Sequence, residues 1–411
     1  MRGSVYYGWR VVAALFIVGM MVYGGGLYAF TLFIPPLTAE FGWSRAATGG
    51  LVSIFWLAAP LTLAGSYFNK RFGAFRLVSA GVILEGLCMI GVGLTHSLTA
   101  MFVIRAAMGL GKIMMAAGVN LQASVWFRRR FGMAIAVCYA GWHFGGLVLA
   151  PVSQFCIDRF GWRTTSFLLG ALIMIMSLPL MIAWGRVSNP AALGLEVDGE
   201  STPAAASLEE SASGIPSLLR TRMFWSAVAV TVLGGVTYGG LLTHEVALIN
   251  EQHVAHSVAA LALSLTAGAA LIGALLFGLL SDRLPFRLTM SCELGLMVAS
   301  VLGFLMFDEN PGAAVLLVSA TVFGVSVGGF DACIVAHIRK QGTAKSFADA
   351  FGVWYFTFLA TLFVAPIAVG ALFDGSGNYR TSLQLMAACV AVAMLLVLIT
   401  PAYTPSASSR R

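Results

Sequence analysis

Charge is what this sequence has least of. Only 10% of its 411 residues are Asp, Glu, Lys or Arg, against roughly a quarter in soluble domains. Mean hydropathy is +0.89 and 59% of the residues are hydrophobic, more apolar surface than a single soluble core could use. No Cys-x-x-Cys spacing occurs, and Cys88, Cys138, Cys156, Cys292, Cys333 and Cys389 all fall inside apolar segments. That pattern excludes a disulfide or metal framework and leaves small apolar packing residues. No Cys/His or Ser/His arrangement suggests a catalytic nucleophile, and no phosphate-cradling loop suggests ATP. An enzyme is therefore not expected, and neither is a cofactor or a metal. Net charge is +7, yet the basic residues are spread through short loops without a nucleic-acid motif, so nucleic acid is not an expected partner.

What is there is a succession of apolar segments. Twelve reach spanning length, at 9–36, 46–68, 77–96, 98–126, 132–157, 164–186, 223–249, 257–280, 288–307, 313–338, 348–373 and 382–401. They predict an all-α membrane protein. The first run is too long for a cleavable signal peptide and leads straight into further spans, so none is expected. Most of the 24 lysines and arginines lie in loops on one side; Arg45, Arg159, Arg163 and Arg380 lie on the other. That asymmetry predicts cytoplasmic termini in an inner or plasma membrane. The one sizeable polar stretch, 187–221, is rich in Ala, Ser, Pro and Glu and reads as a flexible linker. It separates an N-terminal six-helix bundle, 1–186, from a C-terminal one, 222–411.

Span four organises the rest. Arg105 to Arg130 reads as one long helix with Lys112 near its middle. A lysine at that depth costs about 2.5–3.5 kcal/mol on insertion scales, so it should face protein or water rather than lipid. Arg105 lies nearly two turns earlier, so both cations should point the same way. Asn120 and Gln122 follow, and the whole reads as the polar lining of a path.

The two halves repeat. Val22-Tyr23-Gly24-Gly25 recurs as Thr237-Tyr238-Gly239-Gly240, Phe75-Arg76-Leu77 as Phe286-Arg287-Leu288, and Asp158 with Arg163-Thr164 as Asp374 with Arg380-Thr381. Three matches in order at nearly constant offset make an internal repeat. Such repeats place a site at the midplane between them, with alternating access by rocking.

Over essentially its whole length the chain resembles the major facilitator superfamily. Gly65-Ser-Tyr-Phe-Asn69-Lys70-Arg-Phe-Gly73 is similar to that superfamily's loop 2–3 signature, with Asn69 where an aspartate is usual. Gly278-Leu-Leu-Ser-Asp282-Arg283 is similar to the second copy, and Arg105-xxx-Gly109-x-Gly111 to the span-four motif. Tyr7-Gly8-Trp9-Arg10 and the run from Trp126 to Gly145 resemble the monocarboxylate porter family, as does Pro190-Ala-Ala-Leu-Gly194. The resemblance implies twelve helices in two six-helix repeats, with spans one, four, seven and ten lining a cavity. It also exposes a departure. The span-eight arginine that binds substrate carboxylate in such porters is Ala274 here, Leu32 stands in the region of a span-one lysine, and Trp354 to Phe358 replaces the region of a span-eleven lysine.

The candidate site residues follow from these readings. Lys112 and Arg105 would bind a substrate anion, Lys112 taking over from the missing arginine; alternatively Lys112 pairs permanently with Asp331. Asp331 and Glu85 are the candidates for proton coupling, Asp331 otherwise serving a structural ion pair. Glu85 belongs to span three, usually peripheral in this fold, and would contact a neighbour or stay neutral. His244 in Leu242-Thr243-His244-Glu245, His143 with Tyr139 on one face of span five, and Asn120, Tyr28 and Tyr238 are candidate hydrogen-bonding partners of a carboxylate. Each could instead be packing. Asn69, Arg129, Arg130, Asp282 and Arg283 would gate the cytoplasmic side.

The expected function is secondary transport of a small organic anion, a monocarboxylate, with a proton, through a chain working as a monomer in the lipid bilayer. The alternative is a transporter or efflux pump for a neutral or cationic molecule, because Ala274 replaces the usual anchor.

Overall fold

A computed structural model describes residues 6–57, 60, 71–127, 130–187, 189–197, 222–251, 254–306, 312–340 and 344–399. Among these residues the regular structure is all helical, as a lipid-embedded backbone requires if every N–H and C=O is to be satisfied internally. Ten helices among the described residues are long and apolar enough to cross a membrane. One of them, Met133–Gly185, has 53 residues, more than twice what a bilayer needs. Gly161 breaks it at φ 79° and ψ 161°, a backbone that residues with a β-carbon rarely adopt. The fifth and sixth spans are thus separate crossings. The second span is described through Arg45–Ser53 and a 3₁₀ turn, Ile54–Trp56; its remainder, with Asn69, lies outside the described residues. The order of spans is the one the hydropathy predicts.

The chain forms two compact units. One comprises residues 1–209 with 243–268, the other 210–242 with 269–411. In the first unit, spans one and five touch at Gly24 and Gly145, where a β-carbon on Gly24 would stand 2.7 Å from the Gly145 backbone. Tyr23 stacks on Trp142 beside that crossing, ring centroids 4.1 Å apart. Immediately afterwards the first span widens into a π-helical turn, Gly24–Tyr28, a distortion that often accompanies function. Spans three and six cross at Gly86 and Gly170, with the Ser166 hydroxyl donating to the Met89 carbonyl. Arg45 reaches Glu251 at 3.0 Å. In the second unit, β-carbons on Gly273 of span eight or Gly328 of span ten would overlap the Val325 and Ala270 carbonyls. Small residues let these backbones approach where no hydrophobic force between helices is available.

The start of the expected linker is more ordered than its composition suggests. Asn189 accepts from the Ala192 N–H at 2.9 Å, which caps a 3₁₀ turn, Pro190–Leu193, and Pro190 is buried. Residues 198–221 lie outside the described set.

Candidate functional site

The centre of the first unit holds two cations and an acid on adjacent helices. Arg105 and Lys112 come from Leu98–Trp126 and Glu85 from Ala74–Leu94. Arg105 is fully buried: Nε donates to the Leu51 carbonyl at 3.0 Å and Nη1 to the Gly26 carbonyl at 2.7 Å. Its guanidinium lies 3.8 Å from the Phe30 ring and 4.8 Å from the Phe55 ring. Arg105 therefore ties span four to spans one and two, with only Nη2 lacking a hydrogen-bond partner among the described residues.

Lys112 is held differently. It is 4% exposed, with Nζ 3.6 Å from the Trp56 ring centre and 4.7 Å from that of Phe55. Among the described residues no carboxylate oxygen pairs with it. Both cations lie over Phe55, the shared direction that their spacing of seven predicts. Aromatic faces stabilise an ammonium without consuming its N–H donors.

Of the two alternatives for Glu85, contact with a neighbour is the one seen, in a more central place than span three usually offers. It is buried, wedged where a β-carbon on either Gly26 or Gly111 would meet its carboxylate. Neither oxygen has a hydrogen-bond partner among the described residues, and Arg105 and Lys112 are the cations that act on it electrostatically. The missing side chain at Gly26 makes this penetration possible, a detail that no hydropathy pattern carries.

A second group of polar contacts joins spans one, four and five. Tyr28 Oη lies 3.0 Å from His143 Nδ1, and Tyr139 Oη donates to Asn120 Oδ1 at 2.8 Å. Tyr139 packs on Trp142 with centroids 4.1 Å apart, and Trp142 stacks on Tyr23. Tyr139 and His143 thus have separate partners rather than acting as one pair. Gln122 leaves the expected path: Nε2 donates to the Gly185 carbonyl of the sixth span at 2.7 Å.

His244 and Glu245 are both buried. Glu245 accepts from Thr266 Oγ1 at 2.7 Å, and its other oxygen has no hydrogen-bond partner among the described residues. The sequence reading passed over Glu245 in favour of the neighbouring histidine, although an acid inside an apolar span was signal enough. It also passed over Glu293, buried in span nine and accepting from Ser326 at 2.6 Å. The repeat offered that clue, since Glu85 occupies the corresponding span of the first half.

In the second unit Tyr238 sits edge-on to Phe358, 5.4 Å between centroids. Trp354 stacks with Phe358 and donates Nε1 to Thr231 at 2.8 Å. The Trp354 to Phe358 run is an aromatic core. Ala274 belongs to the tight crossing, its N–H beside the spot a Gly328 β-carbon would occupy. The helix Ala313–Lys340 includes Asp331, and His256–Arg283 includes Asp282, but both side chains lie outside the described set, as does Arg129. Arg130 and Arg283 are exposed.

The profile of the Major Facilitator Superfamily matches residues 15–245 and 244–411. The chain belongs to the major facilitator superfamily. It is similar to monocarboxylate transporter 11 of Mus musculus, 25% identical over 97% of this chain and 89% of that protein. It is likewise similar to monocarboxylate transporter 13 of Bos taurus, 27% identical over 92% of this chain and 85% of the relative. Among solved structures, a bacterial homologue of the human lysosomal transporter Spinster, inward-facing and occupied, shares the fold. Its TM-score is 0.72 at 15% identity, over 97% of both chains. This major facilitator is a multi-pass membrane transporter rather than an enzyme.

Proposed function

We propose that this major facilitator carries a small organic anion, a monocarboxylate, together with a proton by alternating access. One observation carries the reading: Lys112 is a buried ammonium held by two aromatic faces, with its hydrogen-bond donors left for an incoming carboxylate. A carboxylate entering a low-dielectric site needs such a fixed, charge-assisted donor. Arg105 supports the site from behind through its backbone contacts, and Tyr28 with His143 and Asn120 with Tyr139 supply further polar groups. Tyr238 and His244 are the corresponding groups on span seven. The names of the relatives, monocarboxylate transporters, support the same substrate class.

Protons have three candidate carriers in this proposal: Glu85 beside the two cations, Asp331 of span ten, and Glu245 on span seven. Asn69, Arg129, Arg130, Asp282 and Arg283 remain the proposed cytoplasmic gate, in an inner or plasma membrane with both termini cytoplasmic. A second reading, a carrier or efflux pump for a neutral or cationic molecule, is favoured by Ala274, which sits in a helix crossing where a substrate-binding arginine is usual. Uptake of labelled monocarboxylates into proteoliposomes, with and without an inward proton gradient, separates the two. Gradient-driven uptake of an acid is the expected result; binding of cations or neutral solutes with no acid uptake would overturn it.

A further inference from the structure

Within the proton-coupled reading, on which this rests, we infer that Glu245 of span seven is the site that binds the transported proton. Its proton load governs a seal built from the ends of spans seven and eight.

Glu245 lies in the helix Arg222–Asn250, five residues or about 8 Å before its end. The side chain is fully buried, and Oε1 accepts from Thr266 Oγ1 of the helix His256–Arg283 at 2.7 Å. Oε2 has no hydrogen-bond partner among the described residues. No charged group among those residues acts on this carboxyl. Its own helix offers His244, about 100° away around the helix axis, and span five offers His143, which is held by Tyr28. Glu85, by contrast, has Arg105 and Lys112 acting on it. A carboxylate buried with one hydroxyl and no cation is an uncompensated charge, so the enclosed form holds Glu245 as the neutral acid. A proton needs no cavity, and Oε2 is where it binds.

The same two segments close one end of the first unit. Residues 243–268 belong to that unit, although the repeat places them in the second half. Ser264 Oγ donates to the Leu147 carbonyl of span five at 2.5 Å, and a β-carbon on Gly146 would stand 2.5 Å from Ala267 Cβ. Arg45, at the start of span two, pairs at 3.0 Å with Glu251, one residue past span seven. Both ends of this ion pair follow an odd-numbered span, which puts them on the side opposite the N-terminus. Thr266 sits between Ser264 and Ala267, so the partner of Glu245 belongs to the stretch of helix that makes the seal.

A cycle follows from the charge. While the seal is open, Oε2 takes a proton from water on that side, and the neutral acid can then be enclosed. Loss of the proton toward the other side leaves a bare carboxylate inside the seal, which favours reopening.

The test compares wild type with E245Q, as full-length protein in proteoliposomes. Glutamine keeps an acceptor for Thr266 and fixes the neutral state. An inward proton gradient should drive monocarboxylate accumulation by wild type, and E245Q should lose that response. Exchange of labelled for unlabelled acid at equal pH, which needs no net proton movement, should continue. E245D, which keeps a titratable acid, should regain part of the gradient response. Hydrogen–deuterium exchange reads the seal. Amides of 243–268 should exchange more slowly in E245Q than in wild type at alkaline pH, and equally under mild acid. Accumulation by E245Q equal to that of wild type would overturn the assignment of Glu245 and leave proton coupling intact. Loss of exchange along with accumulation, or faster deuterium exchange in E245Q, would make Glu245 a packing acid and overturn it too. A wild type without gradient-driven uptake of any monocarboxylate would overturn the proton-coupled reading itself, and the role of Glu245 with it.

Discussion

Lys112 Nζ lies 3.6 Å from the centre of the Trp56 ring, so the mid-membrane cation of span four rests on an aromatic face rather than on a carboxylate. Its position depends on that ring, and its donors do not. Lys112→Ala should therefore raise the KM for a monocarboxylate by roughly ten- to 150-fold, the loss of one charge-assisted hydrogen bond. Trp56→Leu should have a milder effect, because cation–π contact contributes about 0.5–2 kcal/mol. Initial-rate uptake across a substrate series measures both. Unchanged transport by Lys112→Ala would remove the lysine from the substrate site.

Glu85 fills the place where Gly26 has no side chain. Gly26→Ala forces the carboxylate or the first span to move, and overpacking of this kind costs about 1–3 kcal/mol. The thermal midpoint in detergent should fall accordingly. Adding Glu85→Ala should restore part of the loss, because residues in contact are not additive. Equal losses in the single and double variants would show that Gly26 matters for another reason.

Much of this architecture is legible in the sequence because lipid imposes it: runs of spanning length, arginines on one side and an internal repeat all report directly on the bilayer. The shared orientation of Arg105 and Lys112 was legible too, since helical geometry alone decides it. The burial of Glu85 was not. It depends on Gly26 of span one, whose missing side chain leaves room for the carboxylate, and that glycine meets span three only through packing. The break at Gly161 likewise hides inside one hydrophobic stretch, and Arg105's carbonyl partners, Leu51 and Gly26, lie far from it along the chain.

Tyr28 and His143 share a hydrogen bond at 3.0 Å beside the π-helical turn of span one. A neutral hydrogen bond contributes about 0.5–1.5 kcal/mol to stability. Tyr28→Phe should lower the thermal midpoint only slightly. If this pair contacts the carboxylate, kcat/KM should fall roughly ten-fold beyond that stability loss. A change confined to the thermal midpoint would make the pair a packing contact.

Beyond the end of the first span, Glu40 accepts from Arg163 Nη1 at 2.6 and 2.8 Å and from Trp162 Nε1 at 2.8 Å. His96 Nδ1 lies 3.0 Å from Arg163 Nη2. The Arg163 hydrogen bonds, then that of Trp162, hold the Glu40 carboxyl below its ordinary range. A folded-state value below the unfolded one, about 4.3, means that the folded protein binds fewer protons in mild acid. The resulting stabilisation is complete above that value and disappears as pH falls through the folded one. The Glu40 side chain is 39% exposed, so the effect is small and weakens with salt. The thermal midpoint of wild type should exceed that of Glu40→Gln by a constant margin near neutrality, and the two curves should converge under acid. Curves that stay parallel down to the lowest pH tolerated would show that Glu40 acts through its shape and not through its charge.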